Sequence, residues 1–193
     1  PEVTTILPAI RGAFARFGPA PTLTVVPHSD EPALTVDPGD EAPGGPELVA
    51  AIEAHAEQTG ALPRRLRVTG GPEVVVGATL AGAAEREREA LPDADACAGR
   101  DGVVRGRVAV VTGGAQGFGE QIVRSLVAHG ALVVITDLNV DGAEALCEEL
   151  NAEHGPVTGA ARVDVSDESS VAAMIDEVVR MAGGIDLFIS NAG

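Results

Sequence analysis

The sequence predicts an α/β chain: a doubly wound parallel sheet, incomplete at four strands, preceded by a partial α/β unit. Three observations predict it. From residue 107 onward, apolar runs alternate with helical segments that each carry one apolar stripe. A glycine-dense turn joins the first of those runs to the first of those helices. Every proline except Pro156 lies before residue 100, so the composition changes across Asp93–Arg105. The expected division is residues 1–96 for the upstream unit, 97–106 for a linker and 107–193 for the second unit.

In the upstream unit, Thr5–Phe17 has helical spacing, and Leu23–Val26 and Ala33–Val36 read as short strands. An acidic loop rich in Pro and Gly runs from Asp37 to Gly45. Glu47–Thr59 reads as a helix with Leu48, Ile52 and His55 on one side. Arg65–Val68 and Val74–Val76 read as paired strands around the turn Thr69-Gly70-Gly71-Pro72, and Gly82–Leu91 as a polar helix. No catalytic constellation emerges here. His28 and His55 are isolated, Cys97 and Cys147 lack CxxC spacing, and no metal site is expected.

In the second unit, strands are expected at Val108–Val111, Leu132–Thr136, Ala160–Val163 and Ile185–Ser190. They read as mainly apolar runs, broken by Arg162 in the third and Asp186 in the fourth, as for strands covered on both faces. Helices are expected at Gly117–His129, Asp141–Glu153 and Asp167–Ala182. The first carries the stripe Ile122, Val123, Leu126, Val127, and the third Val171, Met174, Ile175, Val178, Val179. Ser166 is the expected N-cap of the third helix, with Asp167 and Glu168 in its first turn favouring the helix dipole.

The residues that bear chemistry sit where these strands end. Thr112-Gly113-Gly114-Ala115-Gln116-Gly117-Phe118-Gly119 follows the first strand and opens the first helix. Glycine there lets the backbone turn sharply and approach a pyrophosphate, and the helix N-terminus presents N–H groups to it. Asp137, followed by Leu138, ends the second strand. A carboxylate at that point accepts hydrogen bonds from ribose hydroxyls and repels a 2′-phosphate. No Arg or Lys lies in Gly113–Gly119 to offset it. Asp164-Val165 follows the third strand, and Asn191-Ala192-Gly193 the fourth.

The spacing T-G-x-x-x-G-x-G, the acid after the second strand, the Asp-Val pair and the S-N-A-G end together make residues 107–193 resemble the short-chain dehydrogenase/reductase family. The resemblance implies a Rossmann-type fold, of which these residues are the first four strands. It implies NAD as cofactor, held by Thr112, Gly113, Gln116, Gly117, Phe118 and Gly119 at the pyrophosphate, by Asp137 and Leu138 at the ribose, and by Asp164 and Val165 at the adenine. Asn191 would hold the central strand, and Ala192 and Gly193 would lie beside the cofactor. Ser190 stands where the family carries a first Asn. The implied reaction is hydride transfer between a nicotinamide and a carbonyl or alcohol carbon, with a Tyr as acid/base, a Lys tuning it and a Ser orienting substrate. All three belong after the N-A-G motif, and the chain has no Tyr and no Lys. No catalytic residue is therefore assigned. The expectation is an internal piece of a longer enzyme, inactive by itself, with Ile185–Ser190 an exposed apolar edge.

The upstream stretch Thr22–Val36, helix 47–59 and the run from Arg64 to Ala84 resemble the C-terminal part of a class II aldolase/adducin-type domain. Such domains are fused ahead of short-chain dehydrogenases in bacterial sugar and polyol enzymes. This implies a small-molecule substrate that is a sugar, sugar phosphate or polyol. The alternatives are a reductase of acyl or steroid ketones and a non-catalytic NAD-binding module. The net charge of −16, spread over both halves, disfavours nucleic acid as a partner. No apolar run reaches the ~20 residues of a membrane span. A cytoplasmic homo-oligomer is expected for the intact protein.

Overall fold

The computed structural model describes residues 2–17, 20–37, 46–80 and 102–193. The helix expected at Gly82–Leu91, half of the expected linker, Cys97 and most of the acidic loop after Asp37 lie outside these residues. The described elements run α1 (Val3–Phe14), β1 (Thr22–Val26), β2 (Leu34–Val36), α2 (Pro46–Thr59), β3 (Arg65–Val68), β4 (Glu73–Gly77), β5 (Val108–Thr112), α3 (Gly117–Ala128), β6 (Leu132–Asp137), α4 (Val140–His154), β7 (Thr158–Arg162), α5 (Glu168–Ala182) and β8 (Leu187–Ile189). They form two four-stranded sheets. No described helix is long and apolar enough to cross a membrane.

The upstream sheet has the order β1-β4-β3-β2. β4 runs antiparallel to β1 and β3, and β2 is parallel to β3. Ile6, Leu7, Ile10 and Phe14 of α1 and Leu48 and Ile52 of α2 form one core with Leu23, Leu66, Val74 and Val76. β4 begins one residue earlier than its apolar run, at Glu73, which is fully buried. Its Oε1 accepts from Arg65 Nη1 (2.7 Å) and Ser29 Oγ (2.9 Å), and its Oε2 from Arg67 Nε (3.0 Å). Burial by itself would raise this carboxyl; the two guanidinium groups and Ser29 outweigh that and hold it at about 2.

The second sheet is wholly parallel, in the order β7-β6-β5-β8. Alternate residues of β5 and β6 serve opposite layers. Ala109, Val111, Val133 and Ile135 pack against Val123 and Val127 of α3 and Ala143, Leu146 and Leu150 of α4. Val110 and Val134 pack against Met174 and Val178 of α5 on the other side. This is a doubly wound, Rossmann-type arrangement in which the chain passes from one edge of β5 to the other between β7 and β8.

Local expectations shift in four places. β7 starts at Thr158 rather than Ala160, because Thr158 pairs with Val133. The N-cap of α5 is Asp167, whose carboxylate accepts from the Ser169 amide, rather than Ser166, whose hydroxyl donates to Asp164. Ile175, expected on the apolar stripe of α5, is exposed, and β8 is shorter than the run that predicted it. β7 and β8, the two edges, are only partly covered, unlike β5, which is buried throughout.

The upstream unit docks at the N-terminal edge of the parallel sheet. Leu80 donates its amide to Pro156 O (2.9 Å) and packs with Val108, Leu132 and Val157, residues at the starts of three strands. Val179 of α5 joins the upstream core, and a Cβ at Gly183 would lie 2.7 Å from Leu23 Cβ. Arg11 of α1 pairs with Asp186 just before β8.

Replacing Glu73 by Gln removes the buried carboxylate that Arg65 and Arg67 share, although Arg65 keeps Glu31. The expected loss is about 3 kcal/mol of stability. The folded carboxyl lies below its unfolded value, so its contribution is complete above about pH 4.5 and fades as the pH falls towards 2. Thermal melts between pH 7 and 3 are expected to converge for the parent chain and Glu73→Gln as the pH drops; a constant difference would contradict this.

Candidate functional site

β5 ends in the middle of the sheet, flanked by β6 and β8, and the chain must leave this buried position and enter α3 within four residues. Gly113 (φ 63°) and Gly117 (φ 60°) take left-handed backbone, which a side chain disfavours. Gly119 is required for a different reason: a Cβ there would lie 1.9 Å from Gly113 O and 2.7 Å from Asn191 Nδ2. At Gly117 nothing stands within 4 Å of where a Cβ would be, so that side of the turn is open.

The turn is tied to both neighbouring strands. Towards β6, Gly114 N donates to Thr136 O (3.2 Å), and Ala115 N to Asp137 Oδ2 (3.1 Å). Towards β8, the Asn191 side-chain amide donates to Thr112 O (3.0 Å) and Gly113 O (3.2 Å). The backbone amides of Asn191 and Ala192 donate to Thr112 Oγ1 (3.0 and 3.2 Å). Thr112 is buried, so it works as a clamp under the turn rather than as a wall of the opening above it.

That opening is a cleft of about 600 Å³ at the C-terminal ends of the parallel strands. It is lined by Gly113, Gln116, Gly117, Phe118, Gly119, Asp137, Leu138, Val163, Asp164, Val165, Asn191, Ala192 and Gly193. The residues singled out in the sequence thus converge on one cleft, with Thr112 beneath it. Val163 was not singled out; as the residue that ends the third apolar run, it could have been. Also unforeseen were the Ala115 amide on Asp137 and the pair Ser166 and Ser170, which hold Asp164.

Asp137 accepts one amide on each oxygen, from Ala115 and from Asn139 (3.0 Å), and each oxygen keeps a further lone pair. Asp164 accepts from the Ser166 hydroxyl (2.7 Å) and amide (3.0 Å), and these bonds hold its carboxyl below the usual range. Both acids lie at the cleft, and among the described residues no Arg or His lines it. Asn139 caps α4 and Asp167 caps α5 with their side chains, whereas Gln116 makes no such bond at α3. The amides of the first turn of α3 therefore face the cleft without a capping side chain. Three exposed apolar side chains, Phe118, Leu138 and Val165, stand around the opening. Among the described residues no group of three or more His, Cys, Asp or Glu is placed to hold a metal ion.

Residues 107–193 match the family model of the short chain dehydrogenases. Over 91 residues the chain is 41% identical to 3beta-hydroxysteroid dehydrogenase 2 of Eggerthella lenta, covering 47% of this chain and 35% of that protein. It is 42% identical over 88 residues to D-threitol dehydrogenase of Mycolicibacterium smegmatis, covering 46% and 34%. It is 39% identical over 88 residues to 2-dehydro-3-deoxy-L-rhamnonate dehydrogenase (NAD(+)) of a Sphingomonas species, covering 46% and 33%. The chain spans about a third of the length of these curated relatives.

The turn yields a direct test. Gly119→Ala forces a methyl into Gly113 O and is expected to lower stability by about 2 kcal/mol or more, measured by thermal or denaturant melts; an unchanged melt would refute the close approach. The cleft, its glycine turn and the Asn191 clamp all fall within residues 107–193, the segment that matches the short chain dehydrogenase model and is similar to relatives named as dehydrogenases.

Proposed function

We propose that the cleft binds NAD and serves hydride transfer between its nicotinamide and a carbonyl or alcohol carbon of a sugar, sugar phosphate or polyol. The observation that carries the NAD reading is Asp137. Its carboxylate sits at the end of β6, held in place by the Ala115 and Asn139 amides, in a cleft whose described lining has no cationic side chain. A ribose offers hydroxyls to the remaining lone pairs of such a group; a 2′-phosphate meets its charge with nothing to neutralise it.

The cleft's other groups fit the rest of the dinucleotide. The uncapped first turn of α3, with open space at Gly117, suits a pyrophosphate. Leu138 and Val165 offer apolar contact to a flat base, and Asp164 an acceptor for its amino group. Ala192, fixed through Thr112, and Gly193 after it offer backbone to the nicotinamide half. The bound cofactor supplies the hydride chemistry. The chain has no Tyr and no Lys, so the proposal assigns proton transfer to groups outside these 193 residues and expects binding without turnover from them alone.

The relatives named for D-threitol and for 2-dehydro-3-deoxy-L-rhamnonate support a polyol or sugar-derived substrate, and the second of them carries NAD(+) in its name. The relative named for a 3beta-hydroxysteroid, equally similar, supports a steroid as the second reading. A cytoplasmic homo-oligomer, and aldolase-type ancestry for the upstream unit, complete the proposal.

NADH and NADPH titrated separately into the chain, followed by the reduced nicotinamide's own fluorescence, test the assignment. NADH is expected to bind at least about tenfold more tightly, and Asp137→Ser to remove most of that difference. Tighter binding of NADPH by the parent chain would defeat the role given to Asp137.

A further inference from the structure

β8 is a weakly held strand with a demanding task. It has three residues, pairs among the described strands with β5 alone, and leaves Phe188 half exposed. Yet it delivers Asn191, Ala192 and Gly193 to the cleft. So short a ladder does little to fix the strand along its own axis, and the position of those residues depends on what grips its two ends. The leading end is gripped at Asn191 by Thr112 and Gly113.

The trailing end is gripped at Asp186, and from an unexpected quarter. Asp186 Oδ2 accepts from Val108 N (2.7 Å), and its own amide donates to Val108 O (2.8 Å), which ties it to the start of β5. Both oxygens also accept from Arg11 of α1, Nη1 to Oδ1 at 2.8 Å and Nη2 to Oδ2 at 2.6 Å, across 175 residues of chain. Arg11 is itself 5% exposed and immobilised: Nε donates to Pro21 O (2.9 Å) and Nη2 also to Ala20 O (3.3 Å). A planar fork fixed by the upstream unit thus holds one carboxylate with two parallel bonds, a geometry Lys does not reproduce. Gly184 lets the chain pass close by, since a Cβ there would lie 3.3 Å from Arg11 Cδ. Arg107, at 3.9 Å and 40% exposed, adds less.

We infer that Arg11 is a positioning residue for the cleft: by holding Asp186 it fixes β8 along its axis and so seats Asn191, Ala192 and Gly193, which lets the upstream unit set dinucleotide affinity from the opposite end of the sheet. The inference rests on the dinucleotide reading of the cleft. It gives the upstream unit a part in cofactor binding although none of its described residues lines the cleft.

The test uses the full 193-residue chain and the variants Arg11→Met, Arg11→Lys and Asp186→Asn, with Glu73→Gln as a control that weakens the upstream unit without touching β8. NADH titration gives affinity, and amide hydrogen exchange of the segment 187–193 reports the clamp without any cofactor. Arg11→Met is expected to weaken NADH about tenfold and to speed exchange in 187–193, with Arg11→Lys recovering part of both. Glu73→Gln is expected to lower the melting temperature and leave both readouts unchanged. If Arg11→Met does not fold, Arg11→Lys and Asp186→Asn carry the same comparison at smaller amplitude. Parent-like affinity and exchange in the folded Arg11 and Asp186 variants would overturn the inference, as would equal effects from Glu73→Gln. Failure of the parent chain to bind NADH would instead defeat the dinucleotide reading, and the exchange comparison would still decide whether Arg11 seats the clamp.

Discussion

The backbone's passage from β5 into α3 constrains the rest of the cleft. A strand buried at all five positions has to surface within four residues, between two neighbours already in place. Gly119 makes this possible by letting the start of α3 pass against Gly113 O and Asn191, where even a methyl group would collide. The Asn191 bonds, the Thr112 clamp and the Ala115–Asp137 contact all attach to this one turn. The crossing of the chain to the far side of β5 then leaves a crevice above it, as at the switch point of other doubly wound sheets.

Charge at the cleft follows a division of labour. The side chains that line the cleft are acidic, apolar or neutral amides (Gln116 and Asn191), and positive potential comes from backbone amides and the α3 dipole. Backbone amides can meet a pyrophosphate without bringing a mobile cation near Asp137, which is what the proposed role of that carboxylate at a ribose requires. α4 and α5, which have no such task, spend their first-turn amides on Asn139 and Asp167.

Much of this was legible in the sequence because it is local. Val108–Val111 and Leu132–Ile135 are uniformly apolar because helices cover both their faces, and the turn's glycines are spaced by the geometry they serve. Legibility fails where pairing or distance decides. Thr158 belongs to β7 only because Val133 stands opposite it. Asp167 rather than Ser166 caps α5 because Asp164 draws the Ser166 hydroxyl. Glu73 looks like the end of a turn, yet Arg65, Arg67 and Ser29 converge on it and draw it into the strand. The pair Arg11 and Asp186 has no signature, since neither residue is unusual in its own surroundings.

The upstream unit contacts the starts of the strands, and the cleft lies at their ends, so the sheet between them is the physical link. The central claim is that this cleft, and no other surface of the chain, takes the dinucleotide. Backbone amide NMR spectra of the ¹⁵N-labelled chain during an NAD titration test it most directly. The account predicts the largest shifts at Gly113–Gly119, Asp137–Leu138 and Asp164–Val165, with the amides of β1, β3 and β4 little changed. Shifts concentrated in the upstream sheet, or none at saturating NAD, would contradict it.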